Sequence, residues 1–374
     1  VRPCAFIGDN PQTAPTNAFM TTIDQSRIQS GAIQAAALSE FESMVAQLRR
    51  KGVRVVTVDD TPQPHTPDSV FPNNVFSFHA TGAVVLYPML APNRRLERKN
   101  YGAIFRALGQ AGFRHAMPQQ HAQQQQPKQQ PKQPHHKTTA AAPAATATFS
   151  SSSLPASTSA SSPAATPKTQ WPSPSPSLFI DMTHYETQSD QACQAFFLEG
   201  TGSMVFDHIH HTVYACTSPR TNGQVLTQFL ARANPVLSPR EPYSPVLFQA
   251  TDSKGKDIYH TNVLLAIGDR FAVVCSEVIR RPDQVGQRRR AALWESQSTP
   301  HPEQMNRFAG NLLQVRNSHH ESILVMSETA SDAFTSQQLR ELESFGTIVA
   351  PSLRTIEIAG GSARCMLAEL FLPR

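Results

Sequence analysis

The chain has 374 residues, which is enough for a large hydrophobic core and one to three domains. Its net charge is +5, but the basic residues are scattered apart from the run 288–290, so we expect no nucleic-acid partner. The five cysteines are widely spaced and form no Cys-x-x-Cys pair, which argues against a disulfide framework or a zinc knuckle, and no apolar run is long enough to span a membrane.

Unpaired cysteines are typical of a reducing compartment, so we expect a cytoplasmic protein without a membrane partner. No signal peptide is recognisable at the start of the chain. Because the chain begins with Val1 rather than Met, targeting by an upstream segment stays open. The sequence also leaves open whether the protein forms a homo-oligomer.

The first third of the chain alternates between helical and strand-like patterns. Apolar residues from Ile33 to Leu48 recur at helical spacing, and Gly52 follows them as a stop signal. The predicted elements are a helix over 28–50, strands over 53–58 and 83–89, and a helix over 101–109.

A loop rich in proline and polar residues lies between the first two predicted strands. It reads Thr66-Pro-Asp-Ser-Val-Phe-Pro-Asn-Asn-Val-Phe76. Polar side chains in a loop made rigid by proline can serve a ligand, which makes Asp68, Asn73 and Asn74 candidate binding residues. Ordinary turn chemistry explains the same residue types, because Asp, Asn and Pro dominate turns. The residues alone leave both interpretations open.

The composition changes abruptly after Met117. Residues 118–137 are mostly Gln, Pro, His and Lys, and residues 138–177 are mostly Ala, Ser, Thr and Pro. Such a segment has too little apolar surface to offset the entropy that it would lose on ordering. We therefore predict a disordered low-complexity insertion over 118–177 in a surface loop. It would divide one catalytic domain into a first part, 1–117, and a second part, 178–374.

Globular sequence resumes at Leu178, with short strands that are separated by polar loops. Glu199 lies in a glycine turn between two predicted strands. His260 and Asn262 lie two residues apart on a predicted strand over 259–267, so they should share one face. A histidine satisfied within the core is the competing interpretation. The unit of strand, polar loop, strand and helix recurs about five times outside the insertion.

The last twenty residues contain a candidate nucleophile, Cys365. It follows a small-residue loop over 359–363, where glycine permits close backbone approach, and precedes an apolar run over 366–372 that is typical of a buried strand. The adjacent Arg364 favours the thiolate form of the sulfur. A structural cysteine on a buried strand is the alternative, because free cysteines are among the most buried residues.

Taken in order, seven motifs resemble the amidinotransferase or guanidine-modifying superfamily, the penteins. Within it the chain looks most similar to the citrulline-utilisation hydrolases, which are related to arginine deiminases and dimethylarginine hydrolases. The resemblance covers nearly all of the chain outside about 118–177. The motifs are Pro67-Asp-Ser-Val-Phe-Pro-Asn-Asn74, Tyr87-Pro-Met89 with Arg94 and Arg95, Leu198-Glu-Gly-Thr-Gly202, Ser218-Pro-Arg-Thr221, Tyr259-His-Thr-Asn262, Phe308-Ala-Gly-Asn311 and Gly360-Gly-Ser-Ala-Arg-Cys365.

This resemblance implies an α/β fold, a five-bladed pentein β/α propeller of ββαβ-type units with pseudo-five-fold symmetry. It also implies a small amino-acid substrate and no metal or organic cofactor. The implied catalytic residues are Cys365 as nucleophile, His260 as acid and base, and Glu199 as its acidic partner. The implied substrate-binding residues are Asp68, Asn73, Asn74, Arg220 and Asn262, with Arg220 on the substrate carboxylate.

Two departures from the family pattern bear on the substrate. Arginine-processing relatives typically carry carboxylates where this chain has Asn74 and Asn262. A guanidinium is cationic and only donates hydrogen bonds, whereas a neutral ureido group both donates and accepts, as an amide does. The exchange favours citrulline, hydrolysed to ornithine, ammonia and carbon dioxide. The second departure, Ala359 in place of a common third glycine, is not expected to remove activity.

Three alternatives stay open at this point. Asp68 could still supply one negative charge, which keeps an arginine deiminase or another guanidine-modifying hydrolase in view. An amidinotransferase is the second, because an amine can intercept a covalent cysteine adduct in place of water. The third is a catalytically silent scaffold that recruits partners through the insertion, and the intact set of Cys365, His260 and Glu199 speaks against it.

Overall fold

The structure, a computed structural model of the protein, describes residues 1–21, 31–114, 178–192, 194–280 and 296–372. The predicted insertion over 118–177 therefore lies outside the described residues, as does the start of the predicted first helix, 28–30. Among the helices that the structure describes, none is both long and apolar enough to cross a membrane.

Three-stranded sheets of one topology recur along the chain, and the described residues form four of them. In each sheet the first two strands are antiparallel and the third is parallel to the second. The strands are, sheet by sheet, β1 (Phe76–Phe78), β2 (Val84–Leu86) and β3 (Phe179–Asp181); β4 (Met204–Asp207), β5 (Thr212–Cys216) and β6 (Ser244–Phe248); β7 (Leu265–Ile267), β8 (Phe271–Val274) and β9 (Ser296–Ser298); and β10 (Leu313–Arg316), β11 (Ser322–Val325) and β12 (Thr347–Val349).

Helices lie between the second and third strands of the first, second and fourth sheets, where a parallel connection needs a long crossover. This order is the ββαβ unit, and the mixed α/β class that the sequence predicted is confirmed. The α-helices are α1 (Ala32–Arg50), α2 (Pro92–Arg95), α3 (Tyr101–Gln110), α4 (His184–Ala192), α5 (Gly200–Ser203), α6 (Gly223–Leu237), α7 (Pro302–Asn306), α8 (Glu328–Ser331) and α9 (Ser336–Glu343). Short 3₁₀ helices span Ala14–Thr16, Pro72–Asn74, Leu96–Asn100, Thr261–Val263, Ser276–Val278 and Ile356–Ala359.

The pattern of apolar residues explains the longest helix, α1. Its buried side chains recur every three or four residues from Ile33 to Leu48 and pack against Val325 and Val349 of the fourth sheet. The helix ends where Gly52 adopts a φ of +76°, in the left-handed region that favours glycine. The predicted helix and its stop signal are therefore confirmed over the described residues.

Neighbouring sheets share their hydrophobic cores. Val85 of the first sheet and Val213 of the second lie in one buried cluster, together with Phe229 of α6. Val273 of the third sheet and Leu324 of the fourth lie in another. Because successive sheets are packed together in this way, the loops that precede their first strands can be brought to a common place.

Two of the predicted strands do not form ladders. Just after 53–58 the backbone makes a single bridge, between Asp59 and Arg2, in which the amide of Arg2 donates to the carbonyl of Val58 over 2.7 Å. Over 366–372 the chain first turns, because the amide of Leu367 donates to the carbonyl of Arg364, and only Leu370 then bridges to β1. These two strand predictions are wrong in this form, and the described residues show no closed five-bladed barrel.

Candidate active site

Polar side chains collect in the loops that enter the first strand of each sheet. Asn74 lies just before β1, Asn262 before β7 and Asn311 before β10, and Glu199 lies just before α5, which leads into β4. The predicted strand over 259–267 is wrong in its first half, because Thr261–Val263 is a 3₁₀ helix. The backbone turn, not strand alternation, sets the direction of Asn262.

A small cavity of about 20 Å³ contains most of the predicted site residues. A much larger cavity of about 670 Å³, lined by the first strands of the four sheets together with the segments 53–58 and 366–372 and parts of two helices, contains none of them. Asn73, Glu199 and Asn262 do not line the small cavity, and Nδ2 of Asn73 lies 3.3 Å from the hydroxyl of Thr201. The small cavity is lined by Asn17, Asp68, Phe71, Asn74, Arg94, Arg220, Tyr259, His260, Ala359, Gly360, Gly361 and Cys365.

A buried pair of Glu199 and His260 stands behind this cavity, with Oε2 of the glutamate 2.9 Å from Nε2 of the histidine. Burial alone would raise the pKa of Glu199, but the charge of Arg220 and the hydrogen bond to His260 outweigh it, and the pKa falls to about 2. Burial lowers the pKa of His260 to about 4, although Glu199 acts in the opposite direction. At neutral pH the carboxylate is therefore ionised and the imidazole neutral.

The ionised Glu199 can only accept hydrogen bonds, so Nε2 of His260 carries the proton and Nδ1 is the free acceptor. Nδ1 lies against Gly202, where an added Cβ would stand 2.6 Å from it and 2.3 Å from Nδ2 of Asn74. Position 202, two residues before β4, must therefore be glycine, because any side chain would displace both site residues. The Gly200-Thr-Gly202 turn is explained by this close packing.

Cys365 is 3% exposed, and two amides approach its sulfur. Nδ2 of Asn311 lies 3.3 Å from Sγ, and Nδ2 of Asn262 lies 3.6 Å from it. The guanidinium of Arg364 points elsewhere, since it donates to Glu369 over 2.9 Å and to the carbonyl of Leu367. The sequence-based role of Arg364 as a cation for the sulfur is not supported, because the charge of Arg364 is matched by that of Glu369.

The loop that carries Cys365 is held by close contacts of its glycines. The preceding 3₁₀ helix ends at Gly360 with a φ of +78°, and a Cβ there would lie 2.4 Å from Nδ2 of Asn17. At Gly361 a Cβ would lie 2.8 Å from the ring of Phe71. Both contacts require glycine, as the sequence suggested, and they leave the loop little freedom to move.

Arg94 fixes the orientation of Asn74. Its Nη1 lies 2.8 Å from Oδ1 of Asn74. Because arginine has no acceptor, the amide must turn its oxygen to Arg94 and its Nδ2 away from it. Among the described residues, this buried Nδ2 has no hydrogen-bond partner, and neither has Oδ1 of Asn262 or Oδ1 of Asp68. The site therefore offers a ligand one amide donor and two acceptors.

Arg94 belongs to one of the seven motifs, but the sequence alone assigns it no role. It is 2% exposed and pairs with Glu97 over 2.8 Å, with Asp68 3.7 Å and Glu199 4.0 Å away. Burial raises the pKa of Glu97 to about 7 even beside this arginine. No local pattern could have separated Arg94 from its neighbour Arg95, which pairs with Asp190 near the surface.

Arg220 is held from the other side of the cavity by the start of the chain. Its Nη2 donates to the carbonyl of Thr13 over 2.8 Å and to the hydroxyl of Thr16 over 2.7 Å. Its guanidinium lies 4.8 Å from the ring centre of Tyr259, which is a cation–π contact.

Among the residues that the structure describes, no group of three or more His, Cys, Asp or Glu side chains is placed to hold a metal ion.

The fold and the sequence together define a member of the guanidine-modifying, pentein superfamily, which confirms the resemblance noted above. The chain belongs to the family described as N,N dimethylarginine dimethylhydrolase, eukaryotic, whose sequence model matches residues 2–126 and 177–372. This is a family of guanidine-modifying hydrolases. A sequence search among curated proteins gave no match.

Solved structures of other proteins share this fold. One is the N-terminal domain of a mutant of ArgZ, an arginine dihydrolase from the ornithine–ammonia cycle in cyanobacteria, bound to its substrate. It has 15% identity to this chain and a TM-score of 0.57. The match covers 99% of this chain and 97% of that domain. Apo ArgZ has 14% identity and a TM-score of 0.53, covering 89% of this chain and 37% of its own. Unliganded AgrE has 14% identity and a TM-score of 0.58, covering 96% and 37%. This chain thus spans just over a third of those two longer proteins.

The buried neutral histidine predicts a loss of stability in acid. The pKa of His260 is about 4 in the folded protein, against an ordinary value of 6.5, so the unfolded chain takes up a proton first as the pH falls. This contribution is complete above pH 6.5 and is lost as the pH falls toward 4. Between pH 7.5 and 4.5 the wild type should therefore lose roughly 2–3 kcal/mol of unfolding free energy more than His260→Gln does.

Urea denaturation at the two pH values measures this difference. The matched control is His319→Gln, which removes an exposed histidine and should follow the wild type. If His260→Gln loses as much stability as the wild type and the control, His260 is not buried in its neutral form.

Proposed function

We propose that this protein is a cysteine-dependent C–N hydrolase that acts on the ureido group of citrulline and releases ornithine, ammonia and carbon dioxide. One observation carries the proposal. Among the described residues, Nδ2 of Asn74 and Oδ1 of Asn262 have no hydrogen-bond partner; Asn74 lines the cavity together with Cys365, and the other end of the Asn262 amide, Nδ2, lies 3.6 Å from the Cys365 sulfur.

A ureido group is complementary to this pair. Its carbonyl oxygen accepts from the amide of Asn74, and its terminal N–H donates to the amide oxygen of Asn262. A guanidinium has no acceptor, so the N–H of Asn74 would face another donor in a buried site. Leaving a buried donor unsatisfied costs about 1–3 kcal/mol, and the uncompensated positive charge adds to that cost.

The proposed reaction uses the Cys365 sulfur as nucleophile. His260 takes the proton of the Cys365 thiol, and the thiolate attacks the ureido carbon. His260 then passes this proton to the departing nitrogen, so that one C–N bond breaks and a covalent adduct forms on sulfur. Water, from which His260 takes a proton, then attacks the adduct, the C–S bond breaks, and the proton returns from His260 to the sulfur. The carbamic acid released in this step loses carbon dioxide, which breaks the second C–N bond. Overall, citrulline and one water give ornithine, ammonia and carbon dioxide. The neutral imidazole is ready to accept a proton, and the ionised Glu199 stabilises the imidazolium that results.

The remaining polar groups would hold the amino-acid end of the substrate. Arg220 is a rigidly supported guanidinium at the cavity wall. Since its Nε and Nη2 donate to Thr13 and Thr16, Nη1 is the nitrogen that would donate to the carboxylate of citrulline. The unpartnered Oδ1 of Asp68 is an acceptor for a substrate N–H group.

The alternative is hydrolysis of a guanidine, as in an arginine deiminase. The observation that favours it is the same Asp68 carboxylate, whose free oxygen could partly balance a cationic substrate. One structure that this chain resembles is that of an arginine dihydrolase. Asn74 and Asn262 still favour the neutral substrate, because a ureido group both donates and accepts hydrogen bonds whereas a guanidinium only donates them.

We also propose that the four sheets belong to a five-bladed propeller with an insertion over 118–177. The fifth unit would combine α1 with the segments 53–60 and 366–372. In support, α1 packs on the fourth sheet, while Val56, Val58 and Leu370 pack on the first. The family match leaves out residues 127–176, as an insertion would require.

The covalent mechanism predicts the behaviour of Cys365→Ser. The exchange is nearly isosteric in a buried position, so the melting temperature should stay within a few degrees of the wild type. Turnover of citrulline should fall by about 10³-fold or more, because an alcohol at neutral pH is a far weaker nucleophile than a thiolate. Ammonia release and thermal unfolding measure the two effects. Cys4→Ser, a half-buried cysteine outside the site, serves as the control, and wild-type turnover in Cys365→Ser would exclude the mechanism.

The specificity argument predicts the behaviour of the double variant Asn74→Asp, Asn262→Asp. An aspartate at 74 can still accept from Arg94 with one oxygen while it turns the other to the ligand. The ratio of kcat/KM for arginine to that for citrulline should rise about ten- to a hundredfold, from one or two charge-assisted hydrogen bonds. Mutual repulsion of the two carboxylates in the empty site keeps the gain partial.

The control for this variant is Asn306→Asp, which adds a carboxylate at the exposed end of α7 and should leave the ratio unchanged. Since Asn and Asp are almost the same size, the comparison tests charge and not fit. An unchanged or lowered ratio in a folded double variant would mean that these two amides do not contact the reacting group.

A further inference from the structure

The fourth sheet contributes a residue to the site that the proposed reaction has not used. Asn311 lies in the loop before β10 and is completely buried. Its Nδ2 is 3.3 Å from the Cys365 sulfur, which is shorter than the 3.6 Å from Asn262. It occupies the same place before its sheet as Asn74 and Asn262 occupy before theirs.

The orientation of the Asn311 amide is fixed by its other partners. Oδ1 accepts from the backbone N–H of Arg364 over 3.1 Å, so Nδ2 must face the sulfur. Nδ2 also lies 2.9 Å from the carbonyl of Asn262. The Asn311 side chain thus contacts Arg364, Asn262 and Cys365 at once. Turning its amide by half a turn would exchange the nitrogen and the oxygen and break all three contacts.

The backbone around Asn311 is shaped for this position. Phe308 has a φ of +65°, which is uncommon for a residue with a side chain. Its carbonyl accepts a hydrogen bond from the backbone N–H of Asn311 over 2.8 Å. A Cβ at Gly310 would lie 2.4 Å from the carbonyl of Val263. Strain and close packing of this kind persist where the surrounding structure holds a functional group in place.

We propose that Asn311 is the hydrogen-bond donor that stabilises the Cys365 thiolate and aims it at the substrate carbon. The inference rests on the proposed nucleophilic role of Cys365. An N–H group that points at an anionic sulfur favours the thiolate, and it does so without a neighbouring cation. The division of work between the two amides follows. Asn311 has no polar atom left over and serves the sulfur, whereas Asn262 keeps Oδ1 free for the substrate.

Thiolate absorbance near 240 nm tests this without substrate. The pH titration of each protein is corrected by that of the same protein carrying Cys365→Ser, so the difference reports Cys365 alone. In Asn311→Ala the midpoint of this difference should move to higher pH by about one unit or more, because one charge-assisted hydrogen bond is lost. Asn317→Ala is the matched control, since Asn317 is buried at the far end of β10 and donates to Lys51, away from the sulfur.

Asn311→Asp keeps the acceptor for the Arg364 amide and guards against a failure of Asn311→Ala to fold. Its carboxylate faces the sulfur, so its midpoint should also move to higher pH. An upward shift in the Asn311 variants with an unchanged Asn317→Ala supports the inference, even if citrulline is not turned over. An unchanged midpoint in the folded variants, or an equal shift in Asn317→Ala, would overturn it.

Discussion

The donor-only guanidinium of Arg94 is the constraint on which the site depends. It is buried among Asp68, Glu97 and Glu199, and it donates to the oxygen of Asn74. A buried cation needs these carboxylates, and their own burial is tolerable only because the cation is there. Since arginine cannot accept, it also decides which end of the Asn74 amide faces the ligand. The proposed preference for a neutral ureido group follows from that orientation.

Close packing of the loops keeps these polar groups in register. Gly202 lies against both Asn74 and His260, and Gly360 and Gly361 lie against Asn17 and Phe71. A side chain at any of these three glycine positions would break the contacts described. The loops that meet there therefore restrict one another's movement. The site is rigid for this reason, although its residues come from loops of different sheets and not from one helix or strand. Such preorganisation is what a catalytic group needs if it is to act on charge that develops in a transition state.

The spacing of apolar residues predicted the elements that bury one continuous face and missed a turn that is set by polar contacts. The spacing of apolar residues from Ile33 to Leu48 predicted α1 because that face is buried along its whole length. The run over 366–372 is equally apolar, yet it turns first, since the Arg364 side chain is anchored on the carbonyl of Leu367 and on Glu369. Its composition carries no sign of that turn.

The site shows the same division. Cys365, His260 and Glu199 were predicted through motif resemblance, and the structure brings the last two together over 2.9 Å, with Cys365 and His260 on one cavity. Arg94 and Asn311 lay in recognised motifs without an assigned role, because their function depends on what they touch. For Asn311 a signal did exist. Asparagines lie just before the first strands of the first and third sheets. This pattern suggests that the asparagine at the equivalent position before the fourth sheet also faces the candidate active site.

Substrate choice is the central claim, and one set of parallel assays tests it most directly. Ammonia release from citrulline, arginine, agmatine and dimethylarginine would be measured under the same conditions, with the carbon product identified in each case. The orientation of Asn74 and Asn262 predicts the highest kcat/KM for citrulline, by about tenfold or more over arginine, with ornithine as the product. A higher kcat/KM for arginine or dimethylarginine than for citrulline would contradict the account.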